Sequence, residues 1–171
     1  MEEDHVDRFL VTIDTAGVGL DLDVEGIVDR IGGLNRRFKN ALGETLAEYE
    51  LTPEDWHVLT PLRLHHGDRT SSPGSLASEL ELSSGAMTSR LDRLEQRGYL
   101  RRLPDPADRR SVLVELTDEG RAAWDAAAEV QARKEAFFAS ALTKREQRTL
   151  NDLLRKLMLA FEAREPSTKE R

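Results

Sequence analysis

Ser83, Ser84, Thr88, Ser89, Arg90 and Arg93 crowd small hydroxyls and guanidinium groups into one short stretch, and Arg109 and Arg110 follow in a Pro-Asp-Pro-Ala-Asp-Arg-Arg segment. These side chains suit contact with a polyanion. Short hydroxyls let a backbone come close to base edges, and arginine grips guanine or phosphate with paired donors. A guanidinium on a projecting tip can enter a narrow minor groove, where the negative potential is strongest. Asp108, two residues before Arg110, is expected to pair with its fork and orient it. Motifs for bond-breaking chemistry are missing: there is no Gly-rich phosphate loop, no Gly-x-Ser-x-Gly and no His-Glu-x-x-His. His65 and His66 are adjacent, so on a helix they cannot face one ligand together, and no metal or cofactor is expected. A small hydrolase built on His57, His65 or His66 is the competing enzymatic reading, and turnover lost on replacing one of them would be its mark.

These groups need elements to carry them. Met87, Leu91 and Leu94 recur at helical spacing and leave the hydroxyls and arginines largely on the other faces. Ser83 or Ser84 suits the N-cap, and Gly98 the left-handed position that ends the helix. Tyr99 to Leu103 and Ser111 to Leu116 have strand composition. Between them Pro104 and Pro106 stiffen a turn that Asp105 and Asp108 favour. Thr117, with Asp118 and Glu119, opens a further helix through Phe138. Helix, strand, charged tip and strand in that order predict a mainly α fold with a small β-hairpin wing. It is a winged helix-turn-helix with one element sized for the major groove of DNA and one for the minor groove.

The chain ends are patterned for assembly. Val24, Ile27, Val28, Ile31, Leu34, Phe38, Leu42 and Leu46 trace one helical stripe, and Leu150, Leu153, Leu154, Leu157, Met158 and Phe161 trace another. Thr143 and Glu146 have capping-box spacing before the second. A winged helix has its own core, so these stripes are expected to pair with a second copy, with Val24, Ile27, Ile31, Leu150, Leu154, Leu157 and Phe161 at the interface. A two-fold dimer would hold two reading helices roughly 34 Å apart, about one turn of DNA. The expected organisation is an N-terminal region and dimerisation helix at 1–50, a DNA-binding lobe at 51–116, C-terminal dimerisation helices at 117–163 and a polar tail at 164–171. Within the lobe, Thr52 and Pro53 open a helix that Pro61 should kink or shorten, residues 65–72 read as a loop, and Ser72 caps a short helix from Pro73 to Leu80. Val6, Phe9, Leu10 and Ile13 suggest an additional short helix against the core.

The stretches LASELELSSGAMTSRLDRLEQRGYLRR and DPADRRSVLVELTDEGR resemble the MarR family of bacterial transcription regulators, and the likeness extends more loosely from about Val24 to Phe161. It implies a homodimer on a pseudo-palindromic operator in double-stranded DNA, usually a repressor relieved by a small-molecule effector. Carried across, Ser83, Ser84, Thr88, Ser89, Arg90 and Arg93 become recognition-helix contacts, Arg110 the wing residue and Asp108 its orienting partner, with Arg109 beside it. The family's usual ligand position, between the dimer helices and the DNA-binding lobe, corresponds to Trp56, His57, Arg90 and Arg102. Arginine beside an aromatic ring suits an anionic aromatic ligand. Arg90 and Arg102 match the arginines of a urate-responsive subgroup, but His57 stands where that subgroup has an aspartate and no N-terminal tryptophan is present.

Composition sets the outer limits. At 171 residues, with 33% charged and 39% apolar side chains, the chain has the make-up of a globular domain. The absence of cysteine excludes disulfides, thiolate metal sites and thiol-based sensing. No apolar run spans a bilayer and no signal peptide is evident, so no membrane partner and a cytoplasmic location are expected. A net charge of −7 would oppose DNA if it were spread evenly. It is not: seven arginines against four acids lie between Ser83 and Arg110, and the acidic excess lies elsewhere. The alternative to a regulator is a winged helix that binds another protein and has no operator of its own. The Asp-Arg-Arg tip argues against it, because protein contact does not require that feature.

Overall fold

A computed structural model of the chain describes residues 2–64, 70–108 and 110–164. The described elements run α1 (His5–Ala16), α2 (Leu22–Ala47), α3 (Pro53–Leu64), α4 (Pro73–Glu79), α5 (Ser84–Gln96), β1 (Leu100–Pro104), β2 (Val112–Leu116), α6 (Asp118–Ala139) and α7 (Lys144–Glu162). The chain divides into two compact units, Met1–Gln131 and Ala132–Arg171.

In the first unit, Val58, Leu59 and Leu62 of α3, Leu76 of α4, Met87, Leu91 and Leu94 of α5, Leu100 of β1 and Val114 of β2 build one hydrophobic core. These are the inward stripes that the periodicity predicts. Burying each large aliphatic side chain contributes about 1.5–3 kcal/mol, so this core carries the lobe. Trp56 of α3 stacks on Trp124 of α6, with centroids 4.8 Å apart and ring planes within 5°. Trp124 Nε1 donates to the Thr60 hydroxyl, which itself donates to the Trp56 carbonyl. Leu42 packs against this core and Leu46 is fully buried in it. The apolar stripe of α2 is therefore split. Its C-terminal end belongs to the lobe, while Val24, Ile27, Val28, Ile31, Leu34 and Phe38 are exposed.

The structure refines local expectations at α3, at both strands and at α1. Pro61 lies buried inside α3, which continues to Leu64, so it does not shorten the helix at its own position. The missing N–H would have bonded the carbonyl of His57, an exposed residue whose carbonyl water can satisfy. Strand β1 starts at Leu100 and closes with Pro104, whose missing donor suits a strand end. Strand β2 starts at Val112, because Ser111 is held in the turn by its N–H and hydroxyl, which donate to the carbonyl and carboxylate of Asp108. The extra N-terminal helix exists as α1, but it lies on α2 and not on the lobe core. Val6 and Ile13 are buried outside the main cluster. Gly26 of α2 permits this approach, since a Cβ there would meet Leu10 Cδ1 at 3.3 Å. Arg30 of α2 bonds Asp4 at 2.9 Å and Asp7 at 2.5 Å.

The second unit contains α7, opened by a Thr143–Glu146 capping box. None of the residues of α7 is buried: Leu150, Leu153, Leu154, Leu157, Met158 and Phe161 are all exposed. Most of the expected polar tail and the histidine pair His65–His66 lie outside the described residues.

Candidate nucleic-acid interface

The reading helix is α5. Ser83 is its N-cap and accepts from the Ala86 N–H, Arg97 is the C-cap, and Gly98 follows at φ 74°, the left-handed turn that glycine takes without strain. Because Met87, Leu91 and Leu94 face the core, Ser84, Gly85, Thr88, Ser89, Asp92, Arg93 and Gln96 line one open face. Ser83, Ser84, Thr88 and Ser89 are exposed, and Arg90 is half-buried. The Thr88 hydroxyl donates to the Ser84 carbonyl at 2.8 Å, and the side chain is exposed.

The wing is a two-stranded antiparallel ribbon in the register Leu100↔Leu116 to Pro104↔Val112. Ser71 adds an isolated bridge to Val114, exchanging both backbone bonds at 2.9 and 2.8 Å, and so braces β2 from the side opposite β1. At the tip, Asp105 accepts from the Ala107 N–H and Asp108 from the Arg110 N–H at 2.9 Å. Here the expected geometry is wrong. Asp108 holds the backbone of Arg110 and the Ser111 hydroxyl, not the guanidinium. An aspartate two residues ahead sits naturally over that N–H, and its other oxygen accepts from the Ser111 hydroxyl, so both oxygens are taken without the arginine fork. The same backbone N–H and hydroxyl hold the Asp108 carboxyl below the usual carboxylate range. Arg110 is exposed, and its guanidinium has no partner among the described residues; Arg109 lies outside them.

Several of the other arginines are committed. Arg93 reaches inward, with Nε and Nη2 on Asp55 Oδ1 at 2.9 and 2.6 Å. Arg101 pairs across the ribbon with Glu115. Arg102 of β1 reaches back to α5, with Nη2 on Asp92 at 2.6 Å and Nη1 on Glu95, whose carboxylate also accepts the Arg102 backbone N–H. Burial works against the charge of Arg102, and the bonds from Asp92 and Glu95 outweigh it, so its pKa stands above the ordinary arginine value. That leaves Arg90, Arg97 and Arg110 with unpaired guanidinium groups among the described residues of the helix and wing. Sequence spacing does not reveal these commitments. Asp55 stands three residues after Thr52 in a capping arrangement, and nothing local marks it as the buried partner of Arg93. Arg97, adjacent to Gly98, reads only as part of a helix end.

The structure does not gather Trp56, His57, Arg90 and Arg102 around a shared partner. Trp56 faces Trp124, His57 is exposed and Arg102 is tied to α5. Among the described residues no group of three or more histidine, aspartate or glutamate side chains could hold a metal ion, and no helix is long and apolar enough to cross a membrane.

The junction that sets the angle between α5, wing and α6 is stitched by backbone. The Thr117 N–H donates to the Tyr99 carbonyl, its hydroxyl to the Gly98 carbonyl at 2.6 Å, and the Gly120 N–H returns to that hydroxyl at 3.0 Å. A Cβ at Gly120 would stand 1.9 Å from the Tyr99 carbonyl oxygen, so only glycine fits. This explains why the Leu-Thr-Asp-Glu-Gly sequence after the wing ends in glycine.

Known proteins resemble this chain in sequence and in fold. The model of the MarR family matches residues 51–112. The HTH-type transcriptional regulator PecS of Dickeya dadantii (strain 3937) is 37% identical over 137 residues, covering 78% of this chain and 82% of PecS. The multiple antibiotic resistance protein MarR of Escherichia coli (strain K12) is 32% identical over 126 residues, covering 73% of this chain and 85% of MarR. A crystal structure of a mutant E. coli MarR complexed with operator DNA superposes with a TM-score of 0.64 at 30% identity, covering 79% of this chain and 95% of that one.

Proposed function

From a chain that belongs to the MarR family of DNA-binding transcription regulators, we propose a homodimeric cytoplasmic repressor that binds a pseudo-palindromic operator and is released by a small, anionic aromatic effector. The observation that carries the DNA contact is the open face of α5, lined by Ser84, Thr88 and Ser89, with the half-buried, unpaired Arg90 on the same helix and a wing whose tip presents the unpaired Arg110. In this reading Ser83, Ser84, Thr88, Ser89 and Arg90 lie in the major groove, and Arg110, with Arg109, lies in the flanking minor groove.

Dimerisation is supported by two apolar stripes that nothing within their own units covers: Val24, Ile27 and Ile31 on α2, and Leu150, Leu154, Leu157 and Phe161 on α7. Exposed patches of this kind are otherwise rare on a monomer. Relief by an effector is supported by the tie between wing and α5. An anion that draws Arg102 away from Asp92 and Glu95 would leave those two carboxylates unpaired on the reading helix, repelling phosphate. The effector reading also assigns His57, Arg90 and Trp56 to the ligand, which would have to draw them together, since Trp56 is stacked on Trp124 and Arg102 is tied to α5 in the structure.

Selection of bound sites from a random duplex library tests the proposal. A two-fold symmetric site with half-sites about one helical turn apart is expected. Failure to retain any duplex at low salt would leave the protein-binding alternative in its place.

A further inference from the structure

We propose that Arg93 is a positioning residue of the reading helix and not one of its DNA contacts, acting through a buried carboxylate on α3. The inference rests on the DNA-contact reading of α5 and assigns a role within that site. Asp55 has a completely buried side chain. Its Oδ2 accepts from the Thr52 N–H at 3.0 Å and from the Thr52 hydroxyl at 2.9 Å, and its Oδ1 takes both Arg93 donors. Both carboxylate oxygens are thus satisfied, and Arg93 supplies the positive charge among these partners. A buried carboxylate is tolerated only with such compensation, so α5 cannot rotate or lift from α3 without exposing an uncompensated charge.

The two donors on one oxygen fix the helix about its own axis at the level of Ser89 and Arg90. Arg102 fixes its other side through Asp92 and Glu95. The reading face is therefore gripped from behind by α3 and from the flank by β1. Because Asp55 already neutralises Arg93, the pair presents little net charge to a phosphate even though part of the guanidinium reaches the open face.

The two roles differ in what they predict. Removing a phosphate contact weakens binding to every sequence alike and makes the slope of log K against log salt shallower by about 0.9 per copy. Removing a positioning contact lowers affinity for the correct site and leaves the slope unchanged. The experiment measures binding of full-length protein to a labelled duplex carrying the selected site, and to a scrambled duplex of the same composition, across a salt series. Arg93→Met is expected to lower selected-site affinity at least tenfold, to change scrambled-site affinity less than twofold and to keep the wild-type slope; Asp55→Asn is expected to cut the selected-to-scrambled affinity ratio at least tenfold, while the Arg93 charge it unmasks leaves the slope no shallower than wild type. The double variant should be no worse than either single one, since both remove the same bond. Arg93→Lys keeps the charge but loses the two-donor grip, and is expected to behave like Arg93→Met.

Equal losses on both duplexes with a shallower slope, restored by Arg93→Lys, would make Arg93 a phosphate contact and overturn the proposal. So would full selected-site affinity in Arg93→Met. Should Asp55→Asn fail to fold by circular dichroism, the two Arg93 variants decide alone. A wild-type protein that does not distinguish the two duplexes would remove the underlying reading of α5 as well.

Discussion

Gly120→Ala places a methyl group where the structure has none to spare. The added Cβ would lie 1.9 Å from the Tyr99 carbonyl oxygen, 2.7 Å from its carbon and 3.0 Å from Tyr99 Cα. All three are backbone atoms, so no side chain can swing aside. Restoring ordinary contact at 3.4 Å requires about 1.5 Å of separation between the start of α6 and the Gly98–Tyr99 turn that follows the reading helix. That movement breaks the bonds from Thr117 to Tyr99 and Gly98, at about 1 kcal/mol each. It adds an overpacking cost of about 1–3 kcal/mol. The better helix preference of alanine offsets about 1 kcal/mol. A net loss of about 3 kcal/mol lowers Tm by roughly 6–12 °C in a chain of this length. Calorimetry at fixed protein concentration reads it, because any self-association would make Tm concentration-dependent. Gly43→Ala is the control: a Cβ there meets nothing within 4 Å, and stability should hold or rise slightly. If Gly120→Ala melts within about 1 °C of wild type and binds DNA as well, the close approach of these backbones is not what orients the wing and helix.

Arg110→Ala is expected to weaken duplex binding several-fold with Tm unchanged, because its guanidinium touches no described residue; equal affinity at matched salt would remove the wing tip from the contact. Replacing Leu154 and Leu157 together with glutamate should abolish the dimer and DNA binding in step, as read by analytical ultracentrifugation and by fluorescence anisotropy with labelled duplex. A variant that remains dimeric would mean the stripe on α7 is not the interface. Arg30 and the N-cap bonds hold the Asp4 carboxyl down to about 2 from 3.8. Its contribution to seating α1 is therefore complete above pH 3.8 and fades as pH falls toward 2. In Arg30→Gln, NMR titration of Asp4 should move part of the way up toward 3.8, with an unshifted midpoint arguing that α1 is not anchored by this pair.

The order of elements was legible because each rests on local physics. Met87, Leu91 and Leu94 declare a helix by spacing, Ser83, Ser72 and Thr143 declare caps by type, and Asp105 with Asp108 declares the turn. What the chain hides is the commitment of charge between distant positions. Arg93 and Arg110 look alike in the sequence, yet one is bound to a carboxylate 38 residues earlier and the other is open to solvent. Arg102 looks available for a ligand until Asp92 and Glu95, a helical turn apart on α5, converge on it. Stripes are similarly silent about their ends: Leu42 and Leu46 continue the periodicity of Val24 and Ile31, but only the fold decides that they belong to the lobe. Asp108 erred at shorter range, since turn geometry puts its carboxylate on the backbone N–H of Arg110 before the side chain can compete.

The central claim is that two copies of the α5-and-wing surface engage one duplex in successive major grooves. Hydroxyl-radical footprinting of the protein on its selected site, with the mass of the complex measured in parallel, tests it most directly. Two protein copies per duplex are expected, with protected patches about ten base pairs apart, centre to centre, and flanking minor-groove protection that disappears in Arg110→Ala. A single copy bound to one patch, or protection at the flanks that survives Arg110→Ala unchanged, would contradict it.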